Sequence, residues 1–226
     1  MLDEVKFGSN GWPTINNGSG PSISATSPFG SVQKHSQEFQ DPFRAVLLPG
    51  WEWPQDQEPR FVFPSKRTGG IELGPKARGG NDLLDAVLAR STRSGSYTAT
   101  TVVKPSSGKA GAMAGIAAIG DTGNAAGLAV GAGKLVLWRR DGGKQKTLVE
   151  SNGPRSDPVY LKLDARRGSS FQFAYSTDGK EWTAIGEPQS GEQFPPWDRS
   201  VRVGLTASGG KGAGGRFVEF RMVEAR

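Results

Sequence analysis

Val159-Tyr160-Leu161-Lys162-Leu163-Asp164 and Ser170-Phe171-Gln172-Phe173-Ala174-Tyr175 alternate apolar and polar side chains with a period of two. Successive side chains of an extended chain point to opposite faces, so Leu161 and Leu163 share one face, and so do Phe171, Phe173 and Tyr175. Ser176-Thr177-Asp178-Gly179-Lys180-Glu181-Trp182 comes next, with Asp-Gly at a hairpin turn. The same grammar extends in both directions. Ser96 to Val103 is rich in β-branched residues and reads as a strand. Ala112 to Ile119 is small and apolar throughout, as expected of a strand covered on both faces. Ala126 to Val130 succeeds a Gly-Asn turn, Lys134 to Arg139 succeeds Gly131-Ala132-Gly133, and Asp141-Gly142-Gly143 leads into Gln145 to Glu150. Arg60 to Phe63, Gly70 to Leu73, Val201 to Ala207 and Arg216 to Val223 complete the set. Leu83 to Arg90 has a helix-like look, but period two also fits, with Leu84, Ala86 and Leu88 on one face. Many short strands without helices between them predict an all-β fold, a two-sheet antiparallel sandwich of jelly-roll type, and not βαβ units.

Composition agrees. Only 35% of the 226 residues are hydrophobic, and 33 Gly and 15 Pro supply turns in place of long helices. No stretch approaches the ~20 apolar residues that cross a bilayer, so no membrane partner is expected. Met1 to Asn10 lacks the basic start and apolar core of a signal peptide. Localisation stays open; a signal peptide upstream in a longer protein would make it extracellular or periplasmic. The absence of cysteine excludes disulfides, thiolate metal sites and Cys nucleophiles. The net charge of +6 comes from scattered residues, and pairs such as Arg139-Arg140 and Arg166-Arg167 sit beside turns. Without Lys/Arg runs interleaved with stacking aromatics, nucleic acid is not an expected partner.

Residues 1–35 stand apart. Leu2 to Phe7 reads as one short strand, and Asn10-Gly11-Trp12-Pro13 and Asn16-Asn17-Gly18-Ser19-Gly20-Pro21 as a turn-rich exit. A lone strand cannot bury itself, so this segment needs a neighbour. The expected organisation is an N-terminal strand and linker over 1–35 and a sandwich over 36–226.

Several stretches together resemble one family. Leu48-Pro49-Gly50-Trp51-Glu52-Trp53 resembles the Trp-x-Trp opening of the concanavalin A-like jelly roll at the C-terminus of glycoside hydrolase family 43 enzymes, the β-xylosidases and α-arabinofuranosidases. Leu84 to Arg93, Ala114-Gly115-Ile116-Ala117, Val159 to Asp164 and Phe171 to Trp182 resemble further strands and the Asp-Gly-x-x-Trp hairpin of that family, in the same order. Val5-Lys6-Phe7 and Gly11-Trp12-Pro13 resemble the closing strand and exit of its five-bladed catalytic propeller. The resemblance implies an accessory, non-catalytic sandwich that packs on a propeller partner, shapes the rim of its site and meets xylan- or arabinan-type oligo- and polysaccharides. A free-standing carbohydrate-binding module, or a lectin-like domain, is the alternative.

The chemistry is sparse. Glycoside hydrolysis needs two carboxyl groups across a sugar. Asp121, Asp141, Asp157 and Asp178 adjoin Gly, Thr or Pro and read as turn formers, while Glu72, Glu219 and Glu224 read as single acids facing solvent. His35, the one histidine, falls in the linker. No catalytic residue and no cofactor is therefore expected. Zinc lacks ligands; calcium needs only oxygen and stays open as a structural ion, although Arg221 stands where the family tends to carry Asp. Trp51 and Trp53 fall on one face of an extended segment, which makes either a saccharide platform or a packed pair beneath a domain junction. The family's Asn-His-Asn after the second Trp is replaced by Pro54-Gln55-Asp56-Gln57. Trp197 lies in a loop, as a third saccharide candidate or a lid on the sandwich edge. Trp138 and Trp182 read as structural.

Overall fold

The computed structural model describes residues 3–23, 36–54, 57–64, 67, 69–76, 80, 82–105, 112–194, 200–209 and 214–225. They fall into two compact units, Met1–Ser36 and Gln37–Arg226. In the first, β1 (Val5–Phe7) pairs antiparallel with β2 (Pro13–Ile15), and a 3-10 turn comes next over Asn16–Gly18. Val5, Phe7 and Trp12 are exposed. Two strands of three residues have no interior to bury them in.

The second unit is the sandwich. Its strands are β3 (Glu38–Asp41), β4 (Arg60–Val62), β5 (Ile71–Gly74), β6 (Ala86–Arg90), β7 (Tyr97–Val103), β8 (Met113–Ile119), β9 (Ala125–Gly131), β10 (Lys134–Asp141), β11 (Lys144–Asn152), β12 (Val159–Arg166), β13 (Ser170–Ser176), β14 (Thr183–Ser190), β15 (Arg202–Ser208) and β16 (Gly215–Glu224). One sheet runs β11-β10-β9-β8-β15-β6, the other β14-β13-β12-β7-β16-β5-β4. Every pairing is antiparallel, and no described residue is α-helical. The long β16 pairs with β7 along one edge, while its other edge is shared by β5 at Gly215–Phe217 and β3 at Phe220–Val223.

Period two decides which side chains lie between the sheets. Leu161, Leu163, Phe171 and Phe173 are buried there against Ile116, Leu128, Leu137 and Leu205 of the facing sheet, in one apolar cluster. Each such side chain, fully removed from water, contributes about 1.5–3 kcal/mol.

The six-stranded sheet is buried on its outer face as well. Pairing aligns Trp138, Gly127, Ala117, Gly204 and Ala89 in one row across five strands, and Val136, Ala129, Gly115, Thr206 and Val87 in the next. Small residues in these rows let Trp138 lie flat: a Cβ on Gly127 would come within 2.6 Å of its ring. Leu83 and Leu84 cover the same face and belong to this second apolar cluster. They sit in a turn, where Leu84 N–H donates to the Asp82 carboxylate, and Arg140 grips the same carboxylate at 2.5 Å. This corrects one expectation. Ala86 and Leu88 face the interior, but Leu84 precedes the strand and packs on the opposite side of the sheet.

Candidate functional site

The Trp-x-Trp segment lies at the free edge of β6. Glu52 and Ala89 exchange both backbone hydrogen bonds at 2.8 Å, a single bridge that extends the sheet by one residue. Gly50 starts this return at φ +94, a backbone conformation that selects glycine.

Asp41 anchors the first tryptophan of the segment. It is 1% exposed, and its carboxylate accepts from Phe43 N–H at 2.8 Å, Leu48 N–H at 3.1 Å and the Trp51 indole N–H at 2.8 Å. The Trp51 ring packs edge-on against Phe39 and Phe220, with centroids 5.9 and 5.0 Å away, and tilted against Phe43. The Arg90 guanidinium stacks on Phe39, 3.3 Å from its centroid. Burial pulls the Arg90 guanidinium below its ordinary range, opposed by the carboxylates of Glu224, Asp41 and Glu52. Trp51 is thus built into the sandwich by its polar edge and by its ring neighbours.

Trp53 is placed differently. It packs on the inner cluster as Trp51 does, but it also lines a cavity of about 130 Å³ together with Val87 and Ala89 from these two rows and Ile119 at the end of β8. Glu52 and Arg202 close one side as an ion pair at 2.6 Å, and Ser91 Oγ donates to the same Glu52 oxygen at 2.8 Å. Asp121 and Thr122 line the cavity too. The Asp121 carboxylate accepts from Gly123 N–H at 2.7 Å and Asn124 Nδ2 at 3.0 Å, which fixes the turn before β9. Both acids of this cavity therefore serve as acceptors for neighbouring donors.

Trp197 and His35 lie outside the described residues. Trp138 is fully buried, and Trp182 stands over Lys162 with the ammonium 4.8 Å from its ring. Arg221 donates to Glu38 at 2.7 Å on the surface of the eight-stranded sheet. Among the described residues no group of three or more His, Cys, Asp or Glu gathers as a metal site, and no helix is long and apolar enough to cross a membrane. One acid departs from expectation. Glu224 is only 9% exposed and accepts from Arg93 N–H at 2.5 Å, which ties the end of β16 to the loop after β6.

Residues 36–224 match the family model described as the β-xylosidase C-terminal concanavalin A-like domain. The chain belongs to this family. A family 43 glycoside hydrolase of Bacillus licheniformis superposes with a TM-score of 0.75 at 25% identity, over 99% of this chain and 46% of its own. Xylan β-1,4-xylosidase of Bacillus halodurans superposes at 0.74 with 21% identity, over 98% and 46%. A Bacteroides ovatus family 43 protein from a xyloglucan locus superposes at 0.65 with 15% identity, over 98% and 46%. This chain thus spans about half the length of these solved relatives. No curated protein matches it in sequence. In the relatives the concanavalin A-like domain is the C-terminal part of the enzyme, whose N-terminal part is the propeller.

The family match says nothing of the cavity, and reading the residues one by one missed most of its wall. Arg202, Asp121 and Thr122 carry no motif. They meet Glu52 and Trp53 only because β15 pairs with β8 and residue 52 bridges to β6. The one available signal was Arg202, the single charge in an otherwise uncharged strand.

Proposed function

We propose that this domain is the accessory, non-catalytic sandwich of a family 43-type glycoside hydrolase acting on xylan- or arabinan-type polysaccharides. It packs on the catalytic propeller and shapes the rim of its substrate site. The observation that carries this reading is the family match over residues 36–224, joined to relatives in which an aligned region of this kind makes up less than half of the enzyme. Two features support it. The β1–β2 pair exposes Val5, Phe7 and Trp12, the side chains of a strand pair that needs another body to complete it. The acids that line the Trp53 cavity already accept from Arg202, Ser91, Gly123 and Asn124, which ties them to neighbouring donors within the sandwich.

In this reading the chain supplies surface and rigidity, and the carboxylates that break the bond lie on the propeller. The test is to assay the chain on aryl β-xylosides and aryl α-arabinofuranosides, alone and with a family 43 catalytic propeller added. The expected result is no turnover alone, and a propeller with a higher melting temperature in the presence of the chain. Turnover by the chain alone that disappears when one of its own acids is changed would overturn the reading.

A further inference from the structure

We infer that the cavity walled by Trp53 and the Glu52–Arg202 pair is a binding site for a single sugar ring. The identity of that sugar as a pentose rests on the function proposed above; the existence of the site rests on the cavity itself. Its volume of about 130 Å³ is several times the ~10–15 Å³ of probe space that holds one water, and below the ~300–1,000 Å³ of pockets for larger ligands. That scale suits one ring.

The lining suits a polyol. Trp53, Val87, Ala89 and Ile119 give the lining an apolar part against which the C–H face of a ring can pack. Arg202 uses Nε on Glu52, and its two Nη groups make no other hydrogen bond among the described residues. They leave a fork of donors beside the cavity, of the geometry that engages two oxygens at once. Glu52 and Asp121 add carboxylate acceptors, and Thr122 a hydroxyl. The Glu52–Arg202 pair neutralises itself, which matches a neutral hydroxylated ligand better than an anion. The site is pre-organised: the Glu52 backbone is pinned to Ala89 and Asp121 is fixed within its turn, so binding orders little.

The experiment is titration of the full chain with D-xylose, L-arabinose and xylobiose, monitored by calorimetry and by amide NMR shifts. A saturable response to at least one pentose is expected, with shifts centred on Trp53, Asp121 and Arg202. Trp53→Ala is expected to weaken it by roughly five- to tenfold, the scale of one aromatic contact. Arg202→Lys keeps the charge opposite Glu52 but removes the fork, and a comparable loss is expected. Trp51→Phe leaves binding unchanged. Thermal unfolding of each variant confirms that the sandwich is intact. Absence of a saturable response to all three sugars, or equal binding by the intact Trp53→Ala and Arg202→Lys variants, overturns the proposal. Its failure is separable from that of the accessory role: a chain that binds no sugar can still raise the melting temperature of a propeller, and a chain that hydrolyses aryl xylosides can still bind a pentose here.

Discussion

Replacing Asp41 by alanine tests how the Trp-x-Trp segment is held. The carboxylate is 1% exposed and receives three hydrogen bonds, from Phe43 N–H, Leu48 N–H and the Trp51 indole. Leu48 is exposed, so its amide regains water when Asp41 is lost. The Phe43 amide sits in a fully buried residue and the Trp51 indole in a half-buried one. Hydrogen bonds to a charged group contribute about 1.5–3 kcal/mol each, and a buried donor left without a partner forfeits that amount. Two such donors set the loss for Asp41→Ala at about 3–6 kcal/mol, which lowers the melting temperature by ~6–24 °C for a domain of this size. The assay is denaturant unfolding of the wild type, Asp41→Ala, Trp51→Phe and the double variant. The cycle isolates the 2.8 Å contact between Asp41 and Trp51, with an expected coupling of about 1.5 kcal/mol. A coupling under ~0.5 kcal/mol, or an Asp41→Ala variant within ~1 kcal/mol of wild type, would refute the view that Trp51 is a structural anchor.

The packing and the surface carry three further expected outcomes. Gly127→Ala places a methyl 2.6 Å from the Trp138 ring and 2.9 Å from the Ala117 Cβ, and should cost about 1–3 kcal/mol of unfolding free energy and perturb the near-ultraviolet dichroism of that indole. Backbone N–H bonds from Lys180 and Glu181, with the Ser176 hydroxyl, hold the Asp178 carboxyl below its ordinary value. Its contribution to stability is therefore full above the unfolded-state value near ~4 and is lost as pH falls through the folded-state one; Asp178→Asn should flatten the acid limb of a melting temperature against pH profile. Arg221→Ala breaks an exposed pair whose side chains are 50% and 47% accessible, and should change stability by less than ~1 kcal/mol in a thermal melt.

The inner layer of the sandwich was legible because period two is a local property. Leu161, Leu163, Phe171 and Phe173 declare their face by spacing alone, and the structure buries them all. Ala112 to Ile119 declared burial on both sides by having no polar residue, and Ile116 and Ile119 do fall into different clusters. Leu84 failed because the strand begins two residues later, at Ala86; before that point the chain is a turn and parity carries no meaning. Glu224 failed because its partners, the backbone amides of Arg93 and Ser94, are far away in sequence, and no composition reveals them.

The Trp pair shows the limit most directly. Alternation correctly puts Trp51 and Trp53 on a common side, since both touch the inner cluster. It cannot separate their fates, because these are set at distance. Trp51 meets Asp41 and the rings of Phe39, Phe43 and Phe220, brought in by β3 and β16. Trp53, two residues on, passes the last backbone bridge to β6 and reaches the gap beside Asp121 and Arg202. That gap exists because the outer face of the six-stranded sheet is lined with residues too small to fill it: Ala89, Ala117, Gly127 and Gly204 leave room that Trp138 takes at one end and the cavity takes at the other. A larger side chain at Ala89 should therefore close the cavity without touching the Asp41 network. Ala89→Leu is expected to abolish pentose binding while leaving the Asp41–Trp51 coupling at its wild-type value, and loss of both together would mean that the two tryptophans form one unit after all.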